Sequence, residues 1–539
     1  MLAEWGFGGY ICREPVPFSG GSGNTRMMTS QVDTIEARLK QETGTLYKQA
    51  RRSVALVYPS PYEVGMASLG FQTIYRRLND LEDVAAERAF LLDEGCDPRG
   101  GLLTYETRRE VSSFPVLAFS VAYELELPGF FSCLKQAGIS PLRSERSPRD
   151  PWIVAGGPLT FSNPVPLGPF VDIVLMGEAE DLLEPLMDAL FSGAPRAEVL
   201  ETLAGMDGFY IPEHHGEELR PVAKCRDSEL PAYSAIVTPN SALSDMFLLE
   251  PERGCSRGCT FCVMRRTTNG GMRLVSPERV MELIPEHATR VGLVGAAVTD
   301  HPKIVDIVRQ LVESGRGVGI SSLRADRLTP EFVELLLRGG YRTLTIASDG
   351  ASEKLRIGME KKIREKHLFR TAEYVKEVGV PQLKIYMMLG VPGESDEDIE
   401  ELVEFGHQTN AAVGYRTRVS LGLSPFVAKR NTPLDGSPFV GIKECDRRIA
   451  LLRKGLRGSV ELRSTSARWA WVEYEMAQGG WAAGLAAHEA WKNGAGFAAW
   501  RQALKAIGRS HRGISIPAPQ PFQSSPAPAT TFPLDILSA

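Results

Sequence analysis

No stretch of the 539 residues holds about 18 uninterrupted apolar side chains, so no membrane-spanning helix is expected. The N-terminus, M-L-A-E-W-G-F-G-G-Y, lacks the basic-then-apolar pattern of a secretory signal. Neither sign of charge dominates: 61 Lys and Arg stand against 66 Asp and Glu, a net charge of -5, which argues against a strongly basic nucleic-acid binder. Cysteine is scarce, with 8 in the whole chain, which excludes a small secreted disulfide scaffold. These absences leave a cytoplasmic protein in a reducing setting, with no membrane partner, as the expectation. The length suggests three or four domains, and 43% hydrophobic content supplies cores for all of them.

The hydrophobic pattern alternates apolar strands with helical periods. Residues 1–50 are expected to form a Gly- and Ser-rich leader, or an overhang before a true start at Met27 or Met28, and then a polar helix from Val32 to Lys48. From 51 to 195, S-V-A-L-V-Y-P, F-P-V-L-A-F-S, W-I-V-A-G-G-P and V-D-I-V-L-M-G-E are strands with helices between them, which indicates an α/β fold with a doubly wound parallel sheet. Ligands in such sheets lie at the carboxyl ends of the strands, here rich in small or polar residues. Residues 196–245 are read as a connector. From 246 to 440, six further strand-helix units suggest a partial (β/α)6 barrel. Residues 441–512 are helical and hold five of the seven Trp. Such a stretch either packs as a helical subdomain with its own core or closes as a lid over the barrel mouth. Residues 513–539 form a Pro/Ser-rich tail.

Three of the cysteines, Cys255, Cys259 and Cys262, sit in E-R-G-C-S-R-G-C-T-F-C. At this cysteine frequency a chance match to that spacing is roughly two in a thousand. The cluster follows the first barrel strand, on the face where such barrels carry active sites. Thiolates suit zinc or an iron-sulfur cluster. A structural zinc asks for four protein ligands, and the next candidates, Cys225 and His287, are 30 residues back and 25 on. Three ligands on a cubane cluster would leave one iron open. Zinc and unmetallated thiols remain the alternatives.

The triplet, with Phe261 before its last Cys, resembles the radical S-adenosylmethionine (SAM) superfamily. The resemblance implies a 4Fe-4S cluster whose open iron chelates the amino and carboxylate groups of SAM. Reductive cleavage of the sulfonium would then yield a 5'-deoxyadenosyl radical. It places Phe261 beside the adenine. Gly295 and Ala296 stand where the family often has G-G-E, a motif that meets the amino group; here the turn reads Gly295-Ala296-Ala297. Ser322 and Arg324 would meet the methionine carboxylate or the ribose, the Arg fork suiting a carboxylate. A rim salt bridge is the alternative use of Arg324. Ser348 and Asp349 would touch the sugar, and Gly390 would support adenine or serve only as a turn residue.

A doubly wound domain ahead of such a barrel is similar to the cobalamin-binding branch of that superfamily. The likeness covers about residues 50–510 and is carried by V-Y-P-S-P-Y-E-V-G-M, A-F-S-V-A-Y-E-L, I-V-A-G-G-P, V-L-M-G-E-A-E-D and S-P-F-V-A-K-R-N-T-P. It implies a nucleotide tail buried at Ser120, Gly156 and Gly157. The loop Pro61–Met66 departs from the branch by lacking the His that ligates cobalt from below. The expected activity is methylation of an unactivated carbon on a small molecule rather than on nucleic acid, with flavodoxin or ferredoxin as electron donor. The competing expectations are a cobalamin-independent rearrangement or oxidation with a structural α/β domain, and a non-enzymatic corrinoid or cluster carrier.

Overall fold

Val54 to Tyr58 are five consecutive apolar residues, none more than 2% exposed. Burial on both faces is the mark of a central parallel strand. The structure, a computed structural model, describes residues 29–507 apart from 98, 265–270 and 322. The expectations for residues 1–28, for Ser322 and for 513–539 therefore lie outside the described residues. The polar helix expected from Val32 to Lys48 runs only over Gln31–Leu39, because Thr43 leaves it to bridge to Val237.

The first sheet contains β1 (Arg52–Tyr58), β2 (Val84–Phe90), β3 (Val116–Ser120), β4 (Trp152–Gly156), β5 (Ile173–Leu175) and β6 (Phe209–Tyr210). Their order is β2-β1-β3-β4-β5-β6, parallel except for β6. The chain reverses direction across the sheet between β1 and β3, the switch point where such sheets take ligands. The two-residue β6 and the helix Arg196–Ala204 belong to this domain, although the sequence assigns them to the connector. A strand that short has no readable period.

The two faces are covered differently. Phe71, Tyr75 and Leu78 of the helix Leu69–Asp80, with Leu183 and Leu186, cover Val54, Leu56 and Val154 on one side. On the other, among the described residues, Leu127–Gln136 is the only α-helix of the domain's own that covers Val57, Leu117 and Ile153. The chain between β4 and β5 makes only 3-10 turns there. The missing cover comes from the C-terminal helices Ala467–Gln478, Trp481–Lys492 and Phe497–Ile507, whose Val472, Met476, Ala487 and Trp500 enter the same core. Gly484 allows the closest approach, since a Cβ there would fall 2.0 Å from Pro166 O. The Trp-rich stretch is thus the second layer of the first domain and not a lid over the barrel.

In the second unit, β7 (Met246–Leu249) leads into an antiparallel ribbon, β8 (Glu252–Gly254) and β9 (Met272–Leu274). The parallel strands continue as β10 (Arg290–Leu293), β11 (Gly317–Ile320), β12 (Thr343–Ala347), β13 (Gln382–Leu389), β14 (Arg418–Pro425) and β15 (Glu461–Ser464). They pair as β11-β10-β7 and β12-β13-β14-β15, and a bridge between Leu323 and Ile346 joins the two groups into one open arc. All six expected strands are present. The seventh, β15, lies in the region assigned to helices, and its E-L-R-S sequence is too short and polar to announce itself.

The carboxyl edges of the two sheets face each other. Lys429, just past β14, donates to Glu124, just past β3, at 2.7 and 2.9 Å and to Glu473 of a C-terminal helix at 2.7 Å. Asn431 donates to Phe161 O beyond β4 at 3.1 Å. Arg273 of β9 pairs with Glu178 beyond β5. Burial pushes the Glu124 carboxyl up, and the Lys429 ammonium opposes that push. Lys429→Met would strand two carboxylates, one of them buried, and should cost about 3 kcal/mol. Calorimetry should show a lower unfolding midpoint for Lys429→Met and partial recovery in Lys429→Met/Glu124→Gln. An unchanged midpoint in the single variant would remove this clamp from the account.

Candidate functional site

Cys255 follows directly on β8, so the β8–β9 ribbon holds both ends of the cysteine loop. The loop is seated by backbone. Thr260 N donates to Met359 O at 3.0 Å, Cys262 N to Cys259 O at 3.2 Å, and Leu434 N to Thr260 O at 3.3 Å. The ribbon is tied outward as well. Arg253 pairs with Glu250 and Glu180, each at 2.7 Å, and with Glu178 at 3.6 Å. The cysteine loop is therefore anchored to the carboxyl end of β5 in the other domain.

Burial raises all three thiols above the usual cysteine range, Cys262 to about 11. The charges of Cys255 and Cys259 add to the rise at Cys262, so the three sulfurs sense one another. At neutral pH they hold their protons until a cation compensates them, and metal binding would release those protons. Among the described residues no group of three or more His, Cys, Asp or Glu is already arranged to hold a metal ion. The donor set itself, three soft thiols with no fourth Cys or His alongside among the described residues, fits a cluster with one open iron. His301, the nearest buried imidazole along the chain, is used locally: it lies 3.0 Å from Val275 O and accepts from Lys303 N.

Around the loop stands a network of charges. Arg257, within the triplet, donates to both oxygens of Asp300 at 2.8 and 2.9 Å. Burial pushes Asp300 up, but Arg257, Arg324 and Arg327 outweigh it and hold the carboxyl below its usual range. Arg324 is 8% exposed and donates to both oxygens of Asp326 at 3.1 and 3.2 Å, so its fork is already engaged as a rim salt bridge. Asp349 pairs with the largely buried Lys361. Three non-glycine residues here, Asp349, Glu360 and Lys362, have left-handed backbones at φ 64°, 56° and 59°. Such strain persists only where the surroundings impose it, and it tends to cluster at functional sites. Nothing in I-G-M-E-K-K marks Lys361 in the sequence as a neighbour of Cys259, yet its charge lowers that thiol.

The remaining expected residues fall in distinct places. Phe261 packs half-buried against the barrel core. Ser348 is fully buried, its hydroxyl donating to Gly350 O and accepting from Arg356, which removes it from any sugar contact at the rim. Gly390, at φ 79°, donates its N–H to Glu394, which Arg448 holds at 2.6 Å, so it serves the turn. Gly295 carries more. Its carbonyl accepts from Ser321, and a Cβ there would fall 2.2 Å from Glu252 Oε1. Ala296 lies in the same turn, half-buried. Glu252 was not visible as a site residue. It is fully buried, accepts from Ala297 N at 2.8 Å through Oε1, and leaves Oε2 without a partner among the described residues.

On the first sheet, β3 and β4 are buried except at Ala118, Ser120 and Gly156, which are half-exposed. A Cβ on Gly156 would meet nothing closer than 3.9 Å, so the space beside it at the carboxyl end of β4 is open. Gly157, by contrast, is packed by protein: at φ 99° its Cβ would fall 2.7 Å from Val121 O. Tyr62, in the loop that lacks a His, donates to Glu42 at 2.7 Å and is buried.

Family profiles agree with this arrangement. One described as "Radical SAM proteins, N-terminal" matches residues 70–212, and one described as "Radical SAM superfamily" matches residues 249–406. The chain carries domains of the radical SAM superfamily. The match over residues 249–406 marks it as a radical SAM enzyme and implies a 4Fe-4S cluster and SAM. An uncharacterised protein of Methanocaldococcus jannaschii is 27% identical over 420 residues, 76% of this chain and 86% of its own length. A tRNA-2-methylthio-N(6)-dimethylallyladenosine synthase of Bacillus thuringiensis is 27% identical over 224 residues, 37% of this chain and 42% of its own. The structure of the cobalamin-dependent S-adenosylmethionine radical enzyme OxsB, with aqua-cobalamin bound, matches 67% of this chain and 52% of its own at 16% identity and a TM-score of 0.48. The chain thus spans less than half of the synthase and about half of OxsB. Among the described residues no helix is long and apolar enough to cross a membrane.

Burial raises the Glu252 carboxyl to about 8, with Glu250 and Asp300 adding to the rise. A group whose folded pKa lies above its unfolded value favours the fold at low pH, and that contribution is lost as pH rises through the folded value. Glu252→Gln keeps the acceptor for Ala297 N and never ionises. Thermal unfolding should find it close to wild type at pH 4, below the ordinary glutamate range, and more stable than wild type at pH 9, the difference growing between the unfolded and folded values. An equal difference at both pH values would contradict the assignment.

Proposed function

We propose that this enzyme uses cobalamin as well as SAM and methylates an unactivated carbon of a small molecule in a reducing, cytoplasmic compartment. Cys255, Cys259 and Cys262 would hold the cluster through three thiolates. The Gly295–Ala297 turn, Arg324 and Asp349 would surround the SAM at the barrel rim, with Phe261 beside its adenine. The half-exposed Ala118, Ser120 and Gly156 would border the nucleotide tail of cobalamin, and no protein His would ligate the cobalt. When bound, these groups supply a carbon-centred radical and a methyl donor.

The observation that carries this reading is the edge-to-edge meeting of the two sheets. A group seated at the carboxyl ends of β3 and β4 and one seated in the loop after β8 would share a single chamber, walled by the Lys429–Glu124 and Arg253–Glu178 ties. The chain's part is then to hold two cofactors and a substrate in one geometry, which is where much of an enzyme's rate comes from. The net charge of -5 supports a small substrate over tRNA, the substrate class in the synthase's name. An external flavodoxin or ferredoxin would deliver the electron. The packing of Gly157 against Val121 favours the second reading, a cobalamin-independent radical reaction with a structural α/β domain.

Anaerobic reconstitution with iron, sulfide and hydroxocobalamin separates the two. About four irons and one cobalt per chain would support the first reading, and four irons without cobalt would favour the second. In both, SAM and a reductant should yield 5'-deoxyadenosine. Cys255→Ala should lose the brown chromophore and the product together; a variant that kept a full cluster would refute the ligand assignment.

A further inference from the structure

The inner wall of a parallel barrel is ordinarily filled by branched apolar side chains. In β13 the alternation is clear. Leu383, Ile385, Met387 and Leu389 pack outward with Leu368, Val375, Leu402 and Phe405 of the flanking helices. Their neighbours Gln382, Lys384, Tyr386 and Met388 point to the inside of the arc and are half-buried. In register, Lys384 lies between Thr345 and Ser420, and Tyr386 between Ala347 and Gly422. Two successive layers of this wall are therefore polar or small, where a packed core would need bulk.

Lys384 Nζ donates to Tyr386 Oη at 2.8 Å and lies 4.5 Å from the centroid of its ring. Gly422 makes the room, since a Cβ there would fall 2.7 Å from the ring and 3.5 Å from Lys384 Cε. Arg253, Arg257, Arg324, Lys361 and Lys429 are all paired with carboxylates. Among the described residues no carboxylate lies within ion-pair distance of Lys384. The tyrosine leaves that charge uncompensated while fixing where the ammonium points. The same stretch of β13 supports the cysteine site, because Tyr386 O accepts from Ser348 N and Asp349 N at 2.9 and 3.1 Å, and Asp349 pairs with Lys361.

We propose that Lys384, positioned by Tyr386, is an anion subsite on the inner wall of the arc that binds an acidic group of the substrate, a carboxylate or a phosphate. Holding that end fixes which carbon faces the cysteine loop. The inference rests on the proposed function only in that the substrate enters the barrel.

Pyridoxal 5'-phosphate forms an imine with a lysine that borohydride traps, and pyridoxal is the same aldehyde without the anion. With the full-length protein, mass spectrometry should find Lys384 labelled about tenfold or more faster by the phosphate ester, the scale expected when one close charge pair is gained in a partly buried site. Malonate or inorganic phosphate should suppress the label, and the more effective of the two identifies the acidic group. Equal rates for the two aldehydes, no label on Lys384, or a label that neither anion suppresses would overturn the proposal. None of these outcomes requires the cluster or the radical, so their failure is separate from a failure to form 5'-deoxyadenosine.

Discussion

One lysine ammonium, answering a carboxylate from each of two other parts of the chain, holds the molecule in its working shape. Lys429 leaves the barrel at the end of β14 and meets Glu124 from the first sheet and Glu473 from the C-terminal helices. A buried ion pair contributes little net stability over an apolar contact of the same shape, but it is costly to break on one side and strict about geometry. Here it specifies how two sheets meet. The Arg253 cluster repeats the same device at the cysteine loop, with carboxylates from both domains around one guanidinium. The C-terminal helices complete it by covering the bare face of the first sheet, so the chain's end ties its beginning to its middle.

The chemistry of the site follows from that arrangement. Burial raises three thiols, the charges of Cys255 and Cys259 push Cys262 further, and among the described residues one oxygen of the buried Glu252 carboxyl nearby has no partner. Without a cation the least costly state of such a site is a protonated one. The backbone strain at Asp349, Glu360 and Lys362 points the same way, since a chain held in left-handed conformations beside the thiols is one whose shape serves something other than its own stability.

Much of this was legible in the sequence. Six of the barrel strands and four of the five parallel strands of the first sheet are marked by apolar runs or period-two alternation, and the cysteine spacing identified the loop before any geometry; β2, V-A-A-E-R-A-F, escaped because the buried Glu87 and Arg88 interrupt its apolar run. What escaped had physical reasons. β6, β8, β9 and β15 are two to four residues long and form only because neighbours offer a ladder. The position of the Trp-rich helices depends on helices missing from a sheet some 300 residues earlier in the chain. Glu252 and Lys361 are ordinary charged residues in sequence, and only burial distinguishes them. Arg324 and Ser348 showed the reverse: their types suited ligand contacts, but Asp326 and Gly350 already occupy them. Alternation in L-K-I-Y-M-M-L-G was legible from the start, but its polar half gained meaning only once the arc gave it an inside.

The central claim is that a cofactor on the first sheet and a cluster in the cysteine loop share one chamber. Electron paramagnetic resonance of the enzyme loaded with cob(II)alamin and reduced cluster tests it most directly. The account predicts magnetic coupling, seen as splitting or faster relaxation of the cobalt signal whenever the cluster is paramagnetic. Two independent signals that simply superpose, or a protein that retains the cluster and no cob(II)alamin, would contradict it.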